Sequence, residues 1–516
     1  MRKSGAYFES FSEKVVKIIA FVLLAVLTVW TALYTCCYPL DYSAEYMTIH
    51  EDSLIKNLAV AVMAIGTFWG LSALLFRGKS EEQKKKIVWY FAIAETFLIG
   101  IALTIWVTQT GFQPNRDAKQ VYGTALEFLQ GDYTAMTYNY IQGFQQQLNL
   151  VFLEELVLNL GGDYRVFQYF NVICIMAIIF FLYRIADKIF KNQVVNLYCL
   201  IGTAGFLPMY FYSNLVYGDV CSIALSIVAI WALMDWQEHK KKRYVAIAVV
   251  CLTVATLARK NTLIILVAIF IALAVHAWKE WDWRGLLVGA LISAVLFGSM
   301  QMIPHMYEKR SGVELGDAMP SIMWIAMGTQ GDWGGHGVYN AYNESVFWST
   351  GGDAKEASAL AWNTIKERMQ EFANNPALAK DFYKNKMLEQ WGEPTYGSMI
   401  LTYEEQDASE GVKAIYTGSI QGKLISVQNY YAFIVYFSVL LFIVGRFREK
   451  ENIWQLLLLI VVVGGILFSI IWETKSRYVF PYVICMIPYM ACGMWTVQEG
   501  IRKFVGKVTA QAKRKS

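Results

Sequence analysis

The sequence predicts an all-α polytopic membrane protein of about 12 transmembrane helices. Three observations predict it. Long apolar stretches recur along the whole chain, hydrophobic residues make up 56% of the 516 and charged ones only 17%, and the loops between the stretches alternate between basic and acidic. A soluble globular chain carries nearer a quarter charged residues. The 17 Trp and 31 Tyr suit two interfacial belts.

The expected spans are 15–36, 54–76, 87–109, 166–188, 194–213, 218–236, 243–258, 262–278, 285–304, 427–445, 452–471 and 478–497. Each is close to the ~20 residues a helix needs to cross a bilayer. The first has full span length and no small-residue cleavage site, so it reads as a retained anchor. The seventh and eighth are short enough for a re-entrant pair.

Charge sets the orientation. Arg2, Lys3, Lys14 and Lys17, the loop RGKSEEQKKK, Arg184/Lys188/Lys191, HKKKR, Lys279 with Arg284, RFREK and the terminal KRKS all fall on one side when spans are counted. By the positive-inside rule that side is the cytoplasm, with both termini on it. The net charge of +4 follows from these loops and implies no nucleic acid. The opposite loops, DYSAEYMTIHED and 305–426, are rich in acid. The chain thus divides into a transmembrane module 1–304 with a large outer loop 110–165, an extracytoplasmic subdomain 305–426, and C-terminal helices with a basic tail, 427–516.

Both long outer segments carry helical signals. In 110–165, Val121, Ala125 and Phe128 recur at near-helical spacing, and LNLVFLEELVLNL (148–160) is too short to span, so both are expected to lie flat at the interface. In 305–426, Asp353 is placed to cap a helix with Trp362, Ile365, Met369 and Phe372 on one face. A second helix after Pro376 carries Leu378, Phe382, Leu388 and Trp391. The eight cysteines form no CxxC and no His/Cys cluster, so neither a disulfide framework nor a zinc site is expected.

Four places depart from the charge pattern or put a carboxylate at the outer mouth. Asp117, in QPNRDAKQ, follows the third span. A carboxylate there can take a proton from a hydroxyl or hold a metal, or it can simply cap the helix starting at 118. Glu473, Lys475 and Arg477, in WETKSRYVFPY, open the last span next to Tyr478. An arginine there suits a phosphate, which its fork binds bidentately, although an interfacial ion pair is also open. Arg259 and Lys260, in ARKN, interrupt an apolar stretch on the side poor in positive charge, either as functional groups or as a water-exposed hairpin tip. Asp219, in YGDV, is a second carboxylate or a turn cap. There is no Walker A motif, Rossmann fingerprint or HExxH, so no nucleotide site is legible.

These features together resemble the GT-C superfamily of membrane glycosyltransferases. Its members include protein O-mannosyltransferases, transferases that decorate lipid A, and envelope enzymes of Gram-positive bacteria. They are similar in carrying an acidic residue in the first large outer loop, as Asp117 is placed. They also often carry a late E-x-x-x-R-Y-x-x-P signature, here Glu473-Thr-Lys-Ser-Arg477-Tyr478-Val-Phe-Pro481. PSIMWIAMG followed by GGHGVYN also resembles the outer loop of the Gram-positive branch. One departure stands out: mannosyltransferases often have adjacent acids in that loop, whereas Asp117 is flanked by Arg116 and Ala118. That leaves the subfamily and any divalent-metal requirement open.

The resemblance implies a GT-C-like glycosyltransferase of the cytoplasmic membrane, with a sugar on polyprenyl phosphate as donor. The acceptor would be a glycan, teichoic acid, glycolipid or protein on the outer face. Asp117 would be the base, with Asp219 as second carboxylate. Arg477, Arg259 and Lys260 would hold the donor phosphate, Glu473 would orient Arg477, and Tyr478 would line the site. The alternative is a transporter or flippase of a lipid-linked sugar, a class that tends to show inverted repeats and interrupted helices. Neither is legible in the sequence.

Overall fold

A computed structural model describes residues 2–515 apart from 43, 138, 333 and 407; the side chains of 2–4, 6, 139, 332 and 512–515, which include most of the terminal basic clusters, also lie outside the description. The fold is helical, with two small antiparallel hairpins, Tyr34–Cys37 with Thr48–Glu51 and Gly331–Asp332 with Gly335–His336. Ten helices among the described residues are long and apolar enough to cross a membrane, and a bent pair raises the number to 11. The remaining expected span, 243–258, is the separate helix Lys242–Ala258 of 17 residues. It sits at the lower limit for crossing.

Burial separates the spans. Leu54–Phe76 keeps only 11% of its apolar window inside the protein, whereas Asp219–His239 keeps 83%. Val62 and Leu74 on the first of these helices are exposed. A surface so apolar is unstable against water and matches hydrocarbon instead. Asp219–His239 and the long C-terminal helix Phe480–Lys515 therefore form the centre of the bundle, and both start beside the candidate site.

The fifth expected span is not one helix. Gln193–Gly205 and Leu207–Asn214 meet at a 54° bend. Pro208 lies in the first turn of the second piece. It has no N–H to give, and its ring pushes the preceding residue out of the helical region. Carbonyls freed at the break are taken up inside the protein: Tyr431 donates to the Gly202 carbonyl at 2.7 Å and Tyr210 to the Thr203 carbonyl at 3.0 Å.

The ninth expected span also runs on. Helix Arg284–Ser311 contains Pro304 and continues past 304, so Arg310 reaches Glu155 at 2.9 Å. The 148–160 stretch forms helix Leu148–Leu158, with Leu148, Val151 and Glu155 buried against the bundle.

The segment after Ser311 returns to the bundle through four principal helices: Ile322–Met327, Tyr342–Ser349, Ala354–Asn374 and Pro376–Trp391. Asp353 caps the third, accepting the Glu356 N–H at 2.8 Å. Met319, Met323, Ala326, Phe347, Ala357, Ala361 and Ile365 form an apolar cluster of their own. The buried stripe of Ala354–Asn374 is Ala357, Ala361, Ile365 and Phe372. Trp362 and Met369, expected on that face, are exposed. Two alanines allow the close approach that their bulk would prevent.

Candidate active site

Five helix ends and two loops converge on one cavity of about 1030 Å³. Asp117, Arg259, Lys260, Glu473, Arg477 and Tyr478 all line it. These residues come from places far apart in the chain, so the coincidence is made by the fold.

Asp117 lies in the first turn of helix Arg116–Leu129. Asn115 is the cap residue, and no side chain caps the end. The capping role open in the sequence is therefore not what Asp117 does. Arg477 donates from Nη2 to Asp117 Oδ2 at 3.1 Å. The Arg477 side chain is 8% exposed and that of Asp117 38%. Burial pushes the Asp117 carboxyl up, but Lys475 and Arg477 together outweigh it and hold it below its ordinary value.

Arg477 is otherwise under-used. Its Nε is buried and has no hydrogen-bond partner. Its guanidinium lies over the rings of Tyr217 and Tyr478, 5.4 and 5.7 Å from their centroids. Arg259 shares both rings, at 5.0 and 5.9 Å. Two guanidiniums on one pair of tyrosines repel each other, and each is stabilised by a carboxylate: Asp117 for Arg477, and Asp219 for Arg259 at 3.3 Å.

Asp219 is the first residue of helix Asp219–His239. It is buried and does not line the cavity, and its second oxygen has no partner. The fold puts it behind Arg259, as a counter-charge. Gly218 makes the approach possible, because a Cβ there would lie 2.2 Å from the Ala258 carbonyl oxygen.

Glu473 does not contact Arg477 as expected. It pairs with Lys475 at 3.3 Å and accepts the Tyr478 hydroxyl at 3.0 Å. The reason is backbone geometry. Trp472 and Lys475 are extended, residues 476–478 form a single 3-10 turn, and the helix proper begins at Phe480. Residues four apart face one way only in a helix. Burial alone would lower the Lys475 ammonium, but Glu473, Tyr478 and Asp117 together outweigh it, so its pKa is raised.

Several further residues, none given a role of its own from the sequence, build the site. Gln147 donates to both Tyr140 and Tyr217, at 3.0 and 2.7 Å, fixing the ring that carries the guanidiniums. Trp324 stacks on Trp472 at 6.1 Å and 6°. Lys386, fully buried, donates to the Trp472 carbonyl at 2.7 Å and to the Gly328 carbonyl. Burial drives its pKa down to about 7; a neutral amine still has the two protons those carbonyls need. Thr474 donates its N–H to Gly337 O and its hydroxyl to His336 O, both at 2.7 Å. Trp324, Trp472 and Thr474 lie within PSIMWIAMG and WETKSRYVFPY, whereas Gln147 and Lys386 look in sequence like ordinary solvated residues.

Five cations line the cavity, Arg116, Arg259, Lys260, Lys475 and Arg477, against four carboxylates, Glu45, Asp117, Glu344 and Glu473. Glu45, Asp117 and Glu473 each face a cation and Glu344 accepts the Tyr339 hydroxyl, so the donor set suits an anion better than a divalent metal. Among the described residues, one group has metal-ligand spacing: Asp235, Glu238 and His239. It lies at the far end of helix Asp219–His239, and Lys188 sits 2.5 Å from Asp235 and 2.7 Å from Glu238. An ammonium occupies the place of the metal.

The family model of dolichyl-phosphate-mannose-protein mannosyltransferases matches residues 150–302. The chain is GT-C-like. The match spans the helices that supply Asp219, Arg259 and Lys260, and it supports a multi-pass membrane glycosyltransferase. No curated protein and no solved structure matches the chain.

Proposed function

We propose that this chain transfers a sugar from a polyprenyl-phosphate donor to a hydroxyl of a cell-envelope acceptor, at the outer face of the cytoplasmic membrane. The observation that carries the reading is Arg477: a buried guanidinium at a cavity, held by one carboxylate, with a second guanidinium sharing its aromatic floor and its Nε unpaired. Such a group wants an anion with several oxygens. The cavity wall below it is apolar, with Leu257, Leu263, Ile264 and Phe468, which suits an isoprenoid tail arriving from the bilayer.

The chemistry follows from the pairings. The acceptor oxygen attacks C1 of the sugar, the C1–O bond to phosphate breaks, and polyprenyl phosphate leaves with the bonding electrons. Arg477 and Arg259 stabilise the charge that develops on it. Asp117 takes the acceptor's proton. In the free enzyme its low pKa makes it a weak base. Engagement of Arg477 by phosphate removes part of that stabilisation, so the base strengthens when the donor is in place. Asp219 and Glu473 are positioning residues, for Arg259 and Lys475. The helix break at Pro208 offers little to a transporter reading, because the Gly202 and Thr203 carbonyls it frees are satisfied within the protein.

Binding of polyprenyl phosphate to purified protein in nanodiscs tests the reading. Arg477→Ala should lose about 1–3 kcal/mol of affinity, the scale of a charge-assisted hydrogen bond, and all transfer, with Arg259→Ala intermediate. Unchanged affinity in both variants would remove the phosphate clamp.

A further inference from the structure

We propose that residues 500–515 form a basic amphipathic arm that lies on the inner leaflet of the membrane and binds its anionic phospholipid headgroups. The inference stands apart from the transfer reaction and concerns the opposite side of the bilayer. It shares with the proposed function only the orientation read from loop charge.

The last helix, Phe480–Lys515, has 36 residues, and about 20 suffice to cross the hydrocarbon. Its packed part ends at Gln498, which is 1% exposed. That level is also the inner end of the neighbouring span. Gly445, the last residue of helix Gln421–Gly445, lies so close that a Cβ on it would meet the Thr496 methyl at 2.3 Å. From Gly500 to Gln511 every residue is exposed while the backbone stays helical. The arm therefore leaves the bundle where the lipid headgroups begin.

Its pattern is not that of a helix surrounded by water. Ile501, Phe504, Val505 and Val508 are 42, 69, 54 and 50% exposed, and they recur at the spacing of one helical face. Lys503 and Lys507 fall on the other side of the helix. Arg502 is engaged with Glu499 at 3.2 Å and lies over the Trp69 ring, 5.8 Å from its centroid. Lys513, Arg514 and Lys515 follow in the sequence, and no Asp or Glu occurs after Glu499.

An apolar stripe of this kind needs a cover, and the bundle does not supply one. A second copy of the chain fits poorly. A coiled coil needs roughly three to four heptads of apolar seam, this stripe runs for about two turns, and two identical arms would bring cation against cation. An anionic lipid surface answers both faces at once. Acyl chains take the stripe, and the lysine stems reach the phosphates. The inner leaflet carries that negative charge. A Cβ on Gly500 or Gly506 would meet nothing within 4 Å, so neither glycine serves packing. They give the arm two joints by which it turns from the bundle axis into the membrane plane.

Amide hydrogen exchange of the full chain tests the arm. The samples are nanodiscs of phosphatidylcholine alone, or of phosphatidylcholine and phosphatidylglycerol in equal parts, each holding one copy. A terminal helix of this length frays in water. Exchange over 500–511 should therefore be at least ~10-fold slower in the anionic discs, and high salt should shrink the difference. Lys503→Gln combined with Lys507→Gln should cut the protection by about five-fold per cation. The melting point should not move, because both side chains are exposed. Phe504→Ser should also weaken the protection, through the apolar face. Equal exchange in the two lipids, full protection in the double lysine variant, or protection confined to discs that hold two copies would overturn the proposal; the last result would make the stripe a contact between chains.

Discussion

Two of the buried charge clusters among the described residues, one around Lys17 and one around Arg477, are built on opposite principles. Lys17 is fully buried, and its ammonium meets Glu13 at 2.8 Å, Glu451 at 3.0 Å, and the carbonyls of Arg446 and Glu449 at 3.0 Å each. Arg446 closes the ring on Glu451 at 2.9 Å. By contrast, Arg477 has one carboxylate, an idle Nε and a cavity. Four oxygens around Lys17 leave it nothing to recruit. Arg477 is held in place but left hungry. Burial and pairing alone do not separate a structural ion cluster from a binding one, and neither does one unpaired atom, since Glu451 Oε2 is also without a hydrogen bond; a cation with an idle donor at a cavity does.

Substitution at the closed cluster should give the larger loss of stability. Lys17→Met leaves Glu13 and Glu451 buried without their ammonium, and about 3–5 kcal/mol of stability should go with it. Turnover per folded molecule should stay near the wild type. Melting in detergent, read beside activity per folded protein, checks this; a normal melting point would make the two clusters alike.

The open cluster should give the reverse. Asp117→Asn should leave melting nearly unchanged, because the carboxylate is over a third exposed, and should lower turnover by at least ~10² as the general base is lost. Single-turnover assays with purified variant decide it, and near-normal transfer would reduce Asp117 to a counter-ion for Arg477.

The smallest effect concerns Lys386, a buried amine that belongs to neither cluster. Its folded pKa is about 7, against ~10.4 for a free lysine. Between those values the unfolded chain holds the extra proton, so stability rises with pH there. The melting point should climb by a few degrees from about pH 7 to pH 9, and Lys386→Met should flatten the slope. A slope identical in the variant would mean that the ammonium stays charged in the folded protein.

Spans and off-side charges were legible in the sequence because a bilayer leaves strong signals: apolar length and loop charge. Arg259, Arg477 and Asp117 stood out for that reason, and the fold brings them to one cavity. What escaped depends on backbone detail. Glu473 was paired with Arg477 on the assumption of a continuous helix, but residues 472–475 are not helical and the carboxylate turns to Lys475 and Tyr478. The break before Pro208 hides in one proline within an apolar run. Lys386 sits in the polar stretch KDFYKNKMLEQ, which reads as a wet helix face.

The ties between Thr474 and the 336–337 backbone, and between Lys386 and the Gly328 and Trp472 carbonyls, also matter to anyone building chimaeras. Gly328 lies so close to the Trp472 backbone that a Cβ there would sit 2.7 Å from its carbonyl carbon. A cassette cut at the ends of the 312–420 segment would therefore be incomplete. The transplantable unit is discontinuous in the gene: swapping the 312–420 segment means carrying residues 472–474 along from the same parent.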